Sequence, residues 1–259
     1  MSAPQVLLVV MAGVFGLLIG SFLNACAYRI PRHISIAWGR SFCPHCHAQI
    51  RAYDNIPVVS WIVLRGRCRD CGAPISLRYP LVEALTGGLF ALVAAVDGFT
   101  WLLVPHLLFV AALILVAEID LDVRLIPDVV ILPVAAVGLV MMILLEPADW
   151  LQWVAAGVGA ALFLLAAALI YEKLRGVTGM GMGDVKMALC MGFFLGAAVV
   201  PALFVGFVLG AVIGVVLMLR VGGDGKMAIP FGPFLAAGAI IALFVGQQAI
   251  DLYLNSILR

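Results

Sequence analysis

Eight apolar stretches run through this chain, at about 6–28, 81–96, 101–119, 129–145, 150–171, 186–200, 202–219 and 231–254. Crossing a bilayer takes about 20 consecutive apolar residues in helical form, because no water reaches the hydrocarbon and each backbone N–H and C=O must be satisfied within the segment. The pattern predicts an all-α polytopic membrane protein with about eight transmembrane helices, of which the second and sixth are the shortest. Composition agrees: with 65% hydrophobic and 11% charged residues among 259, the chain carries more apolar surface than a soluble domain of this length buries in one core. No small-residue cleavage site follows the first stretch, so it reads as a retained helix and not a signal peptide. Gly87-Gly88 and Pro201 fall in or beside these stretches, where neighbouring helices can satisfy freed backbone groups.

A net charge of +1 excludes a nucleic-acid binder, which needs a clustered positive excess. How the charge is distributed says more. Arg29, Arg32, Arg40, Arg51, Arg65, Arg67, Arg69 and Arg78 lie between the first and second stretches. Arg124, Lys173, Arg175, Lys186, Arg220 and Lys226 fall in or beside every second connection thereafter. Only Arg259 of the fifteen basic residues is left for the other side. By the positive-inside rule the basic side is the cytoplasm, which puts both termini outside the cytoplasmic membrane.

Three regions follow: a first transmembrane helix at 1–28, a polar cytoplasmic loop domain at 29–80, and a membrane core at 81–259. The loop contains Cys43-Pro44-His45-Cys46 and, with 21 residues between, Cys68-Arg69-Asp70-Cys71. Each CxxC pair offers two thiolates from one tight turn, and Cys43, Cys46, Cys68 and Cys71 together complete a tetrahedral zinc shell. Disulfides are the rival reading, disfavoured where the loop faces a reducing cytosol. A four-thiolate shell has no open coordination position, so the zinc would fold the loop and not hydrolyse anything. His45 and His47 could replace a thiolate but read more simply as polar knuckle residues. Cys26 and Cys190 lie in apolar stretches as small buried hydrophobes, and His33 and His106 form no interpretable constellation.

Acids at membrane depth are costly and need a reason. The segment from Ala117 to Asp128 carries Glu118, Asp120, Asp122 and Asp128. Pro127 suits the first turn of a helix and Asp128 its positive end, so Asp128 and Asp122 take structural or solvated roles by default. Asp120 lies where the third span ends, and its natural partner is Asp184, which opens the sixth span on the same face. Glycines at 179, 181 and 183 would let an extended substrate backbone approach, or allow positive φ beside the acid. The plainer alternative is a glycine-rich connector before a helix-capping Asp. Two carboxylates in a cleft of restricted dielectric cannot both ionise easily, so they would share a proton. The ionised one could then activate water while the protonated one polarises a scissile carbonyl. No G-x-S-x-G, H-E-x-x-H or G-x-x-x-x-G-K-[ST] pattern competes with this device.

These residues resemble the type IV prepilin peptidases, or prepilin leader peptidase/N-methyltransferases, over nearly the whole chain. The resemblance rests on Gly20-Ser21-Phe22-Leu23-Asn24, Tyr28-Arg29-Ile30-Pro31, both CxxC pairs, Asp54-Asn55-Ile56-Pro57 and Arg78-Tyr79-Pro80-Leu81-Val82-Glu83. It continues through Ile119-Asp120, Ile126-Pro127-Asp128, Gly181-Met182-Gly183-Asp184-Val185-Lys186 and Ile229-Pro230-Phe231-Gly232-Pro233. It implies a bilayer-embedded aspartyl peptidase with Asp120 and Asp184 as catalytic residues. Its substrates would be type IV prepilins and type II secretion pseudopilins, whose basic leader is cut after a glycine at the cytoplasmic membrane boundary. Members with the cysteine loop also methylate the new N-terminal amine with S-adenosylmethionine. The residues that would bind this donor cannot be read from the sequence, which has no Gly-rich methyltransferase fingerprint. Glu118 departs from the family pattern, either perturbing the two aspartates or facing the loop. The rival class is a transporter or channel whose intramembrane acids bind a cation or relay protons; a membrane assembly factor with a recruiting loop is a third reading.

Overall fold

The computed structural model describes residues 2–176, 180–221 and 230–257. Its secondary structure is helical apart from two isolated antiparallel bridges, Phe42 with Gln49 and Arg67 with Pro74. The helices among the described residues are α1 (Ala3–Arg29), α2 (Val59–Val63), α3 (Arg78–Asp97), α4 (Leu103–Val123), α5 (Asp128–Leu145), α6 (Trp150–Arg175), α7 (Met182–Leu195), α8 (Val199–Val221) and α9 (Gly232–Ile257). All but α2 match the eight apolar stretches in order. The chain divides into two compact units, Met1–Leu115 and Val116–Arg259.

In the first unit α1 and α3 pack antiparallel at close range, and small residues make that possible. A Cβ on Gly16 would come within 2.8 Å of the Phe90 Cβ, and one on Gly20 within 2.8 Å of the Glu83 Cα. Backbone approach of this kind is how helices associate where lipid is as apolar as the side chains. Beyond α1 the chain is tied down by Arg29, only 9% exposed. Its guanidinium donates to the carbonyls of Ser35 (3.2 Å), Gly39 (3.1 Å) and Arg40 (3.3 Å). The loop then folds as two short knuckles, one at each CxxC pair.

In the second unit α6 runs antiparallel to α7: Gly157 lies against Phe193, and Trp153 against Gly196. Likewise α9 runs antiparallel to α8, with Phe231 near Gly210, Leu235 near Gly206, and Gly246 against Ala198. By length and composition seven helical runs qualify as candidate membrane spans, Met182–Arg220 counting as one run of 39 residues. A straight helix of that length would extend for about 58 Å, nearly twice the hydrocarbon thickness of about 30 Å. The run is broken at Gly196, whose φ of 54° and ψ of −134° end α7 before a short 3-10 turn leads into α8. Gly196 is thus the turn of a hairpin, and one apparent span is the expected sixth and seventh helices.

Large apolar side chains face outward along these helices, among them Leu144 (74% exposed), Leu174 (77%) and Leu219 (80%). Such exposure is untenable in water and normal against lipid. Asp97 and His106 pair at 2.7 Å across the α3–α4 connection, a partnership that their separate positions in sequence do not announce.

Candidate active site and metal centre

The acid pair is assembled within the second unit by three helix ends. Asp120 lies near the end of α4 and is 6% exposed. Its Oδ2 accepts the backbone N–H of Gly232, at the start of α9, at 2.9 Å. Gly232 must be bare, because a Cβ there would sit 2.8 Å from that same oxygen. Arg124, in the turn after α4, adds its positive field.

Asp184 is the third residue of α7 and 9% exposed. Its carboxylate turns back to the backbone of Gly181, the residue before the helix, as an acid in the first turn does when it satisfies an unpaired N–H. Asp184 lies within the electrostatic reach of Asp120. Two acids 64 positions apart in sequence are thus both buried at the ends of different helices of one unit.

Of the two expectations for the glycines around Asp184, positive φ is not used at 181 or 183. Gly181 has φ −77° and ψ 149°, ordinary extended backbone, and Gly183 lies within α7, so neither uses positive φ. Gly183 is small because a Cβ there would meet the Ile126 Cβ at 2.8 Å, which brings the α4–α5 turn against the start of α7. Gly179 lies outside the described residues. Pro127 is the residue before α5 and not its first turn, while Asp128 does sit in that turn. The Asp128 carboxylate accepts Lys186 Nζ at 2.7 Å through both oxygens, joining the starts of α5 and α7. Asp122 is exposed. Glu118 is 5% exposed.

In the first unit the four expected thiols converge. The Sγ atoms of Cys43, Cys46, Cys68 and Cys71 all lie within 4.8 Å of one another, with Cys43 and Cys71 at 3.8 Å. A tetrahedron of thiolates at a Zn–S distance of about 2.3 Å has edges of about 3.8 Å, so the cluster is sized to hold a metal ion. The knuckles repeat one hydrogen-bond pattern. Cys43 N–H donates to the Ala48 carbonyl and His47 N–H to that of Cys43; Cys68 N–H donates to Ala73 and Gly72 N–H to Cys68. His47 (φ 58°) and Gly72 (φ 71°) take the same left-handed position after each pair, which gives His47 a backbone role.

The pKa of the Cys43 thiol is drawn down to about 7, chiefly by the Cys46 backbone N–H against the cost of burial. Cys71, despite the Ala73 backbone N–H, is pushed up to about 12 by desolvation and its three thiol neighbours. Beside the knuckles, Arg69 grips Asp54 with contacts of 2.6, 2.8 and 3.1 Å. That grip holds the Asp54 carboxyl below its ordinary range, outweighing desolvation.

Helical hairpins with lipid-facing apolar surfaces, two buried acids at helix ends and a four-thiol loop define a multi-pass membrane protein of peptidase design. The comparisons with known proteins are specific. Residues 14–96 match the Bacterial Peptidase A24 N-terminal domain, and residues 107–219 match the Type IV leader peptidase family. A prepilin leader peptidase/N-methyltransferase of Neisseria gonorrhoeae is 37% identical over 82% of this chain and 83% of its own. Those of Stutzerimonas stutzeri (36%; 81% of each chain) and Aeromonas hydrophila (36%; 79% of each) are similar. This chain belongs to the prepilin leader peptidase/N-methyltransferase family. No solved structure matches it significantly. The transporter reading is not favoured by these relatives.

Sequence reasoning missed one participant. Gly232 lay in a quoted motif without a role, and its signal was a glycine between two prolines at the start of a span.

Proposed function

We propose that this protein is a bifunctional membrane enzyme that removes the basic leader of type IV prepilins and type II secretion pseudopilins and methylates the new N-terminal amine. The observation carrying the peptidase reading is the burial of both Asp120 and Asp184, with Asp184 in the field of Asp120. In this reading the ionised aspartate takes a proton from water, whose oxygen adds to the scissile carbonyl carbon. The protonated aspartate donates its proton to the carbonyl oxygen; as the C–N bond breaks, the aspartate that took the water proton gives it to the departing amine nitrogen, and the other aspartate takes a proton back from the gem-diol hydroxyl. Gly232 keeps one oxygen of Asp120 occupied, which orients the carboxylate.

The proposed organisation is a first membrane helix at 1–28, a zinc-bound loop domain at 29–80, and a peptidase core at 81–259. Cys43, Cys46, Cys68 and Cys71 would hold one structural zinc. S-adenosylmethionine would supply an electrophilic methyl group. The basic connections support a position of the loop and both aspartates on the cytoplasmic side of the inner membrane, with the apolar prepilin stem entering among the helices from the lipid. The test is to convert Asp120→Asn and Asp184→Asn separately in folded, inserted protein. Each change should abolish prepilin cleavage and spare methyl transfer to a precleaved peptide; cleavage at the normal rate by either variant would refute the assignment.

A further inference from the structure

The first unit contains a cavity of about 430 Å³ between the end of α1, the two knuckles, α2 and the start of α3. Small-molecule sites are typically about 300–1,000 Å³, mostly apolar with a few placed polar groups. Phe42, Trp61 and Tyr79 line this one together with Asn24 and Asn55. Asn24 donates to the Tyr79 carbonyl at 3.2 Å, and Trp61 Nε1 to that of Ile75 at 3.1 Å, so the wall is fixed by its own hydrogen bonds.

Most of the charged side chains around the cavity are already engaged. Arg29 is committed to backbone carbonyls. Arg69 pairs with Asp54, and Arg51 with Asp70 at 3.5 Å. Glu83 is left. It is 8% exposed, its Oε2 accepts the Val58 backbone N–H at 2.7 Å, and it has no cationic partner among the described residues. Val58 delivers that N–H from φ 61°, ψ −49°, where a β-branched residue is strained; strain of this kind persists where surrounding structure imposes it, often at functional sites. An isolated buried carboxylate is costly unless a cation offsets it.

We propose that this cavity binds the methyl donor S-adenosylmethionine, with the Glu83 carboxylate as the counter-charge to its sulfonium. The proposal rests on the methyltransferase reading above and gives that activity its binding site. The volume suits a nucleoside carrying an amino-acid tail and exceeds what a peptide amine alone would fill. A fixed cation answers the buried carboxylate there that has no cationic partner among the described residues. The knuckles supply part of the wall through Cys43 and Cys68, which explains why a metal-folded loop would accompany methyl transfer.

The test measures equilibrium binding of S-adenosylmethionine and of S-adenosylhomocysteine, whose sulfur is neutral, to the zinc-loaded full chain in detergent. Wild-type protein should prefer the sulfonium. Glu83→Gln keeps an acceptor for Val58, and should lower affinity for the sulfonium roughly tenfold while leaving that for the neutral thioether unchanged. Ala25→Trp, which fills the cavity, should abolish binding of both with zinc content retained. Equal weakening of both ligands by Glu83→Gln, or no weakening, overturns the role of Glu83. Unchanged binding by Ala25→Trp, in a protein whose wild type transfers methyl groups, overturns the cavity assignment alone. A wild type that neither binds the donor nor transfers methyl groups overturns the methyltransferase reading as well.

Discussion

Gly232 and Asp120, 112 positions apart, meet through a hydrogen bond of 2.9 Å from the Gly232 backbone N–H to the Asp120 carboxylate. The contact closes the start of α9 onto the end of α4. It also sets which way one of the two candidate catalytic acids points, because the glycine offers a donor with no side chain in the way.

Gly232→Ala should therefore displace Asp120 without removing it. A shift of about 1 Å in a reacting group can cost on the order of 100-fold, so prepilin cleavage should fall by about 10- to 100-fold in kcat with KM little changed. Steady-state cleavage kinetics on protein of unaltered zinc content would read this directly.

Gly183→Ala should destabilise the second unit by about 1–3 kcal/mol, the usual cost of overpacking, because its Cβ would press on that of Ile126. Adding Ile126→Gly, which removes the opposing atom, should recover part of the loss. Thermal unfolding of the single and double variants in detergent would show whether the two substitutions compensate.

Cys43→Ser or Cys71→Ser should release about one zinc per chain and loosen the loop, since the binding energy of a four-thiolate site is folding energy. Metal analysis and limited proteolysis would check this. The two acids lie in the other unit, so prepilin cleavage should be less affected than methyl transfer. Full zinc retention in both variants would contradict the four-thiolate site.

Lys186→Gln removes the ion pair with Asp128, whose carboxylate side chain is 57% exposed. Exposed pairs contribute about 0–1 kcal/mol, so the melting temperature should move by only a few degrees and cleavage should persist. Large losses from this change would mean that Lys186 does more than tie α5 to α7.

The pH dependence of the Asp54–Arg69 pair follows from its sign. The folded carboxyl titrates below its unfolded range. Its contribution is therefore complete above the unfolded value of about 3.9 and lost as pH falls through the lower folded value. Asp54→Asn should weaken the loop by the same amount at pH 8 and pH 5, and the difference from wild type should vanish only below about pH 4. Hydrogen exchange of the loop at matched pH would measure it.

The eight helices were legible because apolar length and backbone satisfaction are properties of a segment by itself. The four-thiol cluster was legible for a related reason: each CxxC turn is local, and a metal shell needs only two of them. The constraint on Gly183 was not legible, because it is Ile126, brought against it by packing, and the positive φ offered as one alternative for the glycines is not used at 181 or 183. Glu118 and His106 were likewise unreadable until burial and the Asp97 contact gave them surroundings.

Sequence alone determined that the chain is a bundle of membrane helices with a metal-ready loop and two candidate acids, since hydropathy, thiol spacing and charge placement are written along the chain. Tertiary structure alone decided that Asp184 lies within the field of Asp120, that Gly232 orients the latter, and that Glu83 has no cationic partner among the described residues. Those facts are distances between residues far apart in the chain, and only packing sets them.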